Sequence, residues 1–273
     1  MLQEAKTLIE KAWKDRRLLR NDDTIDAIKK IINLLDKGDI RAAEPSCTGE
    51  WLVNEWIKKA IILYFAVQEM NLIEVGPFEF HDKIPLKKGF DKIGARIVPP
   101  AIARYGSYID KDVVIMPSYI NIGAHIETGT LIDTGSVVGS CAQIGKNVHL
   151  SCGAVIGGVL QPPQALPVII EDGCFIGSCC SIKEGVHIEK EVIVGGNLII
   201  TQSTQIFNVS SKDKKTYKGF IPARSIVIPG TYKKKFPAGE FQVQCALIVG
   251  QRKQSDDLKV SLKAAIKEFK IAL

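Results

Sequence analysis

The chain has 273 residues and a formal net charge of +6, and it is 46% hydrophobic and 24% charged. This balance is typical of a folded globular protein and excludes a disordered or collagenous one. Its apolar runs are shorter than the ~18 residues of a transmembrane helix, and its charged beginning shows no secretory signal. We therefore expect a cytoplasmic protein with reduced cysteines and no membrane partner. Short basic runs without interleaved aromatic residues argue against a nucleic-acid partner.

The first part of the chain shows helical periodicity. Apolar residues recur at helical spacing along two stripes, and a third stripe contains Trp56. Asp22, Asp23 and Thr24 are the expected cap of the second helix, which should end at Gly38. The pattern predicts an N-terminal helical domain over residues 1–95.

In the middle of the chain, an aliphatic residue recurs at every sixth position. Counting from Tyr108, the first series runs from Val114 to Ile156, and a second series runs from Ile170 to Ile206. A short stretch over residues 221–232 follows the same rule. Small or short residues, from Ser118 to Ala154, stand four positions after the members of the first series. Both residues of such a pair can point to one side of a very short strand.

A six-residue period fits neither a long helix nor an ordinary hairpin sheet, and it is the mark of a parallel β-helix. The hexapeptide form is left-handed, with three hexads in each 18-residue coil, as an exception to the right-handed crossover rule. The predicted fold class is mainly β, with a left-handed parallel β-helix of hexapeptide repeats over residues 96–232. A small strand and helix region over residues 233–273 completes the chain.

Two interruptions break the repeat, at residues 157–168 and 207–220. A rigid prism must carry such insertions as outward loops, which are either binding elements or simply solvated loops. Beyond the repeat, residues 241–249 alternate like a strand. An amphipathic helix should follow, beginning near Ser255 and Asp256.

Several motifs make the sequence more specific than its bare hexads. They are MPSYINIG (residues 116–123), GSCAQIGKNVHLS (139–151), GGVLQPPQALPVIIEDGCFIG (157–177) and WLVNEWIKKAIILYF (51–65). With them, most of the chain resembles the tetrahydrodipicolinate N-succinyltransferase family of bacterial lysine biosynthesis. Hexapeptide β-helices most often belong to acyltransferases that act as trimers with active sites between prisms.

The resemblance implies an enzyme that moves a succinyl group from succinyl-CoA to the amine of tetrahydrodipicolinate, in its ring-opened form 2-amino-6-oxopimelate. This reaction belongs to the succinylase branch of diaminopimelate and lysine biosynthesis. Succinyl-CoA is then a co-substrate, the dicarboxylate is the other small-molecule partner, and no tightly bound cofactor or metal is expected. The chain should form a homotrimer.

The resemblance also implies two site residues. Arg96 matches the family's substrate-binding arginine, and a guanidinium can donate two parallel hydrogen bonds to a carboxylate. Asp133 matches the active-site aspartate and is the expected catalytic and substrate-binding carboxylate. Asp133 follows the inward Ile132, so its side chain should point outward at a turn where a neighbouring subunit can meet it. We expect it to orient the substrate ammonium and to share its proton.

Two positions depart from the family's pattern. Ser181 stands in the place of a glutamate implicated in catalysis, and Gly135 replaces a tryptophan. Either that carboxylate is dispensable, or Glu184 or another acid substitutes for it, or the chemistry has changed. The alternative function is a hexapeptide-repeat trimer with a different acyl donor or acceptor, or a catalytically impaired homologue.

Other candidates have weaker support. His125 and His149 are more plausibly surface or packing residues than bases, and the absence of a close histidine pair within one coil disfavours a zinc site. Cys174 and Cys180 take small inward positions and are expected to fill the core. The lysines of residues 212–218 and 233–235 either meet the phosphates of CoA or are solvated charge runs. No CoA-binding residue is assigned.

Overall fold

The repeat region winds into a three-sided prism of short parallel strands. The computed structural model describes residues 2–212 and 215–252. Ile126 pairs with Ile144, and Ile132 pairs with Leu150, eighteen residues further along the chain in each case. This is the coil length that three hexads give, and it produces three parallel sheets, named here faces 1, 2 and 3.

Each face contains six two-residue strands from successive coils. Those of face 1 are Arg96–Ile97, Val114–Ile115, Leu131–Ile132, His149–Leu150, Phe175–Ile176 and Ile193–Val194. Those of face 2 are Ile102–Ala103, Tyr119–Ile120, Val137–Val138, Val155–Ile156, Ser181–Ile182 and Ile199–Ile200. Those of face 3 are Tyr108–Ile109, His125–Ile126, Gln143–Ile144, Ile169–Ile170, His187–Ile188 and Phe220–Ile221.

The second residue of each strand points into the prism, where these aliphatic side chains form one core. The predicted inward positions are confirmed from Ile120 onward, but they are wrong for Tyr108 and Val114. Ile109 and Ile115 are the buried residues there, whereas Tyr108 and Val114 are half-buried and point outward. The reason is a turn between Ile115 and Ile120 that is one residue short. The residue six positions before Ile120 is therefore the outward Val114 and not the inward Ile115.

The first interruption, residues 157–168, leaves the prism as an irregular loop and is held against the third helix. Lys58 of that helix is fully buried, and its ammonium donates to the carbonyl oxygens of Ala165 at 2.8 Å and Pro162 at 3.4 Å. The charged form is costly to bury, and this lowers the pKa of Lys58. The loop is thus anchored to the helical domain by a buried cation.

The second interruption forms a hairpin of strands Gln205–Asn208 and Thr216–Lys218. Ile206 remains in the prism core, but its strand pairs with Ala246 and not with the coil of Ile188, whose partner is Ile221. Beyond this hairpin the chain rejoins the prism, where Ile221 pairs with Ile188 on face 3 and Val227 pairs with Val194 on face 1.

A long antiparallel hairpin ends the described chain, formed by strands Ser225–Phe236 and Gly239–Gln251. The predicted strand over residues 241–249 is therefore confirmed. The repeat predicted over residues 221–232 is wrong in its second half, because the chain leaves the prism after Val227 to pair with the final strand. The helix expected near Ser255 and Asp256 lies outside the described residues.

The N-terminal region contains the predicted helices and two small hairpins. Its helices are Leu2–Lys14, Asp22–Lys37, Glu55–Val67 and the short Phe90–Ile93, with a 3-10 helix at Arg16–Arg20. Its hairpins pair Ala43–Pro45 with Trp51–Val53 and Asn71–Val75 with Phe78–Asp82. None of the helices within the described ranges is long and apolar enough to cross a lipid bilayer. The boundaries between the three domains stay a prediction.

The cap of the second helix lies one residue before the expected cap residues. Asn21 is the N-cap, with its side chain accepting from the N–H of Asp23, and Asp22 is already helical. The helix ends as predicted at Gly38, which has φ +79°. A Cβ at Gly38 would lie 2.5 Å from the ring of Tyr108, so only glycine allows this close approach to face 3. The helical domain thus covers face 3.

We predict that the inward aliphatic side chains supply most of the stability of the prism. Leu150→Ala empties a fully buried position and should lower the free energy of unfolding by about 2–5 kcal/mol. Leu72→Ala is the matched control, because Leu72 is 58% exposed, and it should change that free energy by no more than about 0.5 kcal/mol. Chemical denaturation measures both, and equal losses would contradict the proposed core.

A second prediction concerns the loop of residues 157–168. Lys58→Met removes the ammonium donor from the carbonyl oxygen of Ala165, while that of Pro162 keeps the N–H of Ala165. The loss costs about 1–3 kcal/mol and should speed amide exchange at Val159 and Ala165 by tenfold or more. Lys59→Met is the control, because Lys59 pairs instead with Glu10 at 2.9 Å. Exchange mass spectrometry that shows the same loop protection in both variants would refute the anchor.

Candidate active site

The corner between faces 1 and 2 places the side chain of Asp133 outside the prism. Ile132 points inward, and Asp133 follows it as a half-buried residue. The N–H of Asp133 donates to the carbonyl oxygen of Leu150 at 2.9 Å, which fixes the backbone to the next coil. The carboxylate Oδ1 accepts from the N–H of Thr134 at 2.6 Å. No ion pair to this carboxylate comes from the described residues, so its remaining lone pairs can meet an amine.

Arg96 is the first residue of face 1, and its side chain is exposed. Its N–H donates to the carbonyl oxygen of Val113 at 2.9 Å. Within the described ranges, no carboxylate pairs with its guanidinium. The side chain is therefore available for a carboxylate ligand, and its substrate-binding role stays a prediction.

Arg96 and Asp133 lie on the same side of the prism but do not touch. The register runs from Arg96 through Val114 to Leu131, two residues before Asp133. Two strand spacings and two residues along a strand separate the Cα atoms by about 12 Å. Contact with one small substrate therefore needs an extended molecule, or residues from two protomers.

The faces that meet at the Asp133 corner carry apolar side chains outward. On face 1 these include Val114 and Leu131, and on face 2 they include Val137 and Val155, all half-buried. Ile199, further along face 2, is 46% exposed. Such rows are suited to burial against another protein surface.

Ser181 lies outward on face 2, between Val155 and Ile199 in the ladder. It is half-buried. Glu184 is exposed at the opposite edge of this face, in the turn toward face 3. Glu184 therefore does not take the place of a carboxylate at Ser181.

Gly135 belongs to the same corner as Asp133 and has φ +74°. Its N–H donates to the carbonyl oxygen of Pro117 at 2.7 Å. This left-handed conformation favours glycine over a bulky residue, so the glycine suits its turn.

The histidines lie away from the Asp133 carboxylate or in packed positions. His125 is buried on face 3 with its ring 4.4 Å from that of Tyr108, and burial holds its pKa well below the usual value. His149 lies on face 1 with its ring 5.1 Å from that of Phe175. Within residues 2–212 and 215–252, no group of three or more histidine, cysteine or acidic side chains is placed to hold a metal ion.

Apart from Lys214, which lies outside the described residues, the two basic runs lie in the hairpins at the end of the prism. Residues 233–235 belong to the strand Ser225–Phe236, and Lys215 and Lys218 lie at the Thr216–Lys218 hairpin. Lys233 is 3.8 Å from Glu240, with both side chains largely exposed. The strands of these hairpins are neighbours in one sheet.

A polar groove that the sequence did not predict lies at another corner, between faces 3 and 1. It has a volume of about 470 Å³ and is lined by Arg41 and Trp51 of the first hairpin region and by Glu127 and Glu171 of the prism. Its charges pair with one another. The guanidinium of Arg41 forms an ion pair with the carboxylate of Glu127 at 2.8 Å.

The carboxylate of Glu171 is hydrogen-bonded to the ring of His187 at 2.7 Å and accepts from the indole N–H of Trp51 at 3.2 Å. The hydrogen bond to His187 is the main reason that the pKa of Glu171 is lowered. The charges of Arg41, Glu127 and Glu171 are already paired, which makes the groove a weaker substrate site than the open Asp133 corner. Trp51, Lys146 and Glu171 belong to three of the sequence motifs, but nothing in those motifs indicates that the three residues line one groove.

Known proteins resemble the chain along almost its whole length. Residues 4–67 match the family model described as Tetrahydrodipicolinate N-succinyltransferase N-terminal, and residues 167–202 match the one described as Hexapeptide repeat of succinyl-transferase. A 2,3,4,5-tetrahydropyridine-2,6-dicarboxylate N-succinyltransferase of Sodalis glossinidius is 42% identical over 278 residues, which cover 98% of each chain.

Two further relatives of the same name show similar agreement. The protein of Variovorax paradoxus is 42% identical over 279 residues, covering 98% of this chain and 100% of its own. The protein of Idiomarina loihiensis is 44% identical over 253 residues, covering 90% of each. These matches confirm the predicted family, and with it an acyltransferase built on hexapeptide repeats. The chain belongs to the tetrahydrodipicolinate N-succinyltransferase family.

Proposed function

We propose that the protein transfers the succinyl group of succinyl-CoA to the amine of ring-opened tetrahydrodipicolinate, 2-amino-6-oxopimelate. The observation that carries this proposal is the open Asp133 carboxylate, fixed at a corner of the prism in a chain 42% identical to proteins named for this reaction. In the reaction, the amine nitrogen bonds to the thioester carbon and the C–S bond breaks. The amine loses a proton, and CoA leaves as its thiol.

Asp133 acts on the amine. A carboxylate oxygen that already accepts from the Thr134 N–H is held in place and has lone pairs for the substrate ammonium. The carboxylate orients the nitrogen toward the thioester and shares the proton that the nitrogen releases. A thioester oxyanion needs donors as well, which backbone N–H groups at a coil turn can supply.

Arg96 binds a carboxylate of the acceptor. Its guanidinium can donate two parallel hydrogen bonds, which sets both position and orientation. Since its Cα is about 12 Å from that of Asp133, the acceptor must be extended if one protomer supplies both groups. A dicarboxylic acid with a long carbon chain meets that condition, whereas a small amine does not.

A neighbouring copy of the chain completes the site in this proposal. Faces 1 and 2 meet at Asp133 and carry half-buried apolar side chains outward, whereas face 3 is covered by the helical domain. A contact between face 1 of one copy and face 2 of the next is heterologous, and such contacts can close into a ring. A homotrimer in the cytoplasm, with succinyl-CoA as co-substrate and no tightly bound cofactor, is the form we propose.

The second candidate function comes from Ser181, which provides no carboxylate where the family has a glutamate. In that case the chain keeps the scaffold but uses another acyl donor or acceptor, or has impaired turnover. The distinguishing variant is Ser181→Glu. If the wild type releases no CoA thiol and Ser181→Glu does so with 2-aminopimelate, the chain is an impaired member of the family.

We predict that Asp133→Asn lowers kcat/KM for succinyl transfer by about 10²–10⁴-fold, because the amide cannot accept the amine proton. CoA-thiol release from succinyl-CoA with 2-aminopimelate as acceptor measures this. Asp110→Asn is the matched control, since Asp110 accepts from the next N–H at 2.8 Å in the same way but at another corner. A loss of similar size in both variants would show that the turn geometry matters and not the carboxylate of Asp133.

Arg96→Ala should raise KM for 2-aminopimelate by about 10–100-fold, which corresponds to the ~1.5–3 kcal/mol of a charged hydrogen bond. The KM for succinyl-CoA should change much less, because the guanidinium acts on the acceptor. Arg20→Ala, in the 3-10 helix, is the control. Unchanged acceptor KM in Arg96→Ala would remove this residue from the site.

A further inference from the structure

The seven cysteines fall into two classes by burial. Cys141, Cys174, Cys180 and Cys245 are buried, and burial raises the pKa of each thiol. The predicted role of Cys174 and Cys180 as core filler is confirmed, since both are fully buried among the inward aliphatic side chains. Buried neutral thiols of this kind are unreactive.

The exposed cysteines are Cys47, Cys152 and Cys179. Cys47 lies in the first hairpin region of the N-terminal domain, whereas Cys152 and Cys179 lie at the corner between faces 1 and 2. They occupy successive coils of the same corner, one and two coils beyond Asp133. The N–H of Cys179 donates to the carbonyl oxygen of Cys152 at 3.0 Å, so the two residues are direct neighbours.

The backbone geometry of this pair suits a disulfide. The two residues lie in turns of successive coils ~4.8 Å apart and are offset by one residue of ~3.8 Å, which puts their Cα atoms about 6 Å apart. Disulfides bridge Cα atoms at roughly 4.4–6.8 Å. The pair therefore needs no large backbone movement to close.

The thiol of Cys179 lies over Gly153, the residue that follows Cys152. Cys179 has φ +58°, and Gly153 stands below it with φ +69°. A Cβ at Gly153 would lie 3.4 Å from the Sγ of Cys179. Because Gly153 has no side chain, the space beside the Sγ of Cys179 is open on the side of Cys152.

We propose that Cys152 and Cys179 form a reversible disulfide when a hydroperoxide oxidises them, and that this bond lowers acyl transfer at the adjacent corner. One thiolate attacks the peroxide oxygen, giving a sulfenic acid and, from hydrogen peroxide, one water. The second thiol attacks that sulfur and displaces another water, so two thiols and one peroxide give one disulfide and two waters. The peroxide takes both electrons.

Two hydrogen bonds connect the disulfide to the candidate site. The N–H of Gly153 donates to the carbonyl oxygen of Thr134 at 2.9 Å, and the N–H of Thr134 donates to the Oδ1 of Asp133 at 2.6 Å. Drawing the corner of Cys152 toward Cys179 displaces the peptide that holds the carboxylate. Because reactions in enzyme sites are sensitive to small displacements, we expect kcat/KM to fall by about tenfold. This part of the inference rests on the proposed function.

The first experiment detects the bond itself. The reduced full-length protein is treated with hydrogen peroxide, alkylated and cleaved after Lys146, Glu171 and Lys183, which places Cys152 and Cys179 in separate peptides. The expected product is one linked peptide pair, lighter by two hydrogen atoms, that dithiothreitol separates. It should form in the wild type and in Cys47→Ser, but not in Cys152→Ser or Cys179→Ser. Absence of this pair in the wild type overturns the proposal.

The second experiment measures CoA-thiol release before and after the peroxide. The oxidised wild type should lose activity and regain it with dithiothreitol, while the double variant Cys152→Ser/Cys179→Ser should keep its activity throughout. An equal loss in the double variant, or a linked pair without any loss, overturns the regulatory effect. A reduced wild type that is inactive before any peroxide is added would instead count against the proposed function, so the two failures are distinguishable.

Discussion

The inward aliphatic residue of each hexad is the constraint on which the rest of the structure depends. Side chains such as Ile126, Ile144 and Leu150 are completely buried, and each packs on the coils before and after it. Because side chains alternate along a strand, one inward residue fixes which neighbours point outward. The chemistry of this protein is therefore confined to outward strand positions and corners, and Asp133 is such a position because Ile132 is inward.

The prism divides its outer surface between structural and functional uses. Face 3 receives the helical domain, with Gly38 against Tyr108 and the N–H of Gly106 donating to the Oδ1 of Asp36 at 2.9 Å. Faces 1 and 2 keep apolar rows outward and meet at the Asp133 corner. Family membership and this arrangement agree with each other, although Ser181 provides no carboxylate on face 2. We therefore propose that Asp133 alone shares the proton of the amine.

Much of this could be predicted from the sequence, because the repeat is local. The hexad count gave the coil length, the inward set from Ile120 onward and the outward direction of Asp133. It failed at Tyr108 and Val114, since a turn shortened by one residue changes the phase without changing the composition. It also failed beyond Val227, where pairing with a distant strand takes the chain out of the prism. Contacts between distant segments, such as Lys58 with the inserted loop, leave no periodic signal at all.

The candidate site shows the same limit. Motif positions identified Arg96 and Asp133, but their separation depends on the number of strands between them, which only the register supplies. The groove at Arg41 and Trp51 was missed because its lining residues come from the first hairpin region and from several different coils. The pairing of Cys152 with Cys179 was likewise hidden, since the inserted loop lies between them in sequence.

A crystal structure of the protein with CoA and 2-aminopimelate tests the central claim most directly. We expect the amine nitrogen within hydrogen-bond distance, ~2.7–3.2 Å, of the Asp133 carboxylate, and a carboxylate of the ligand on the guanidinium of Arg96 from the same or a neighbouring protomer. Binding of 2-aminopimelate in the groove at Arg41 and Trp51, with Asp133 free of the amine, would contradict the account.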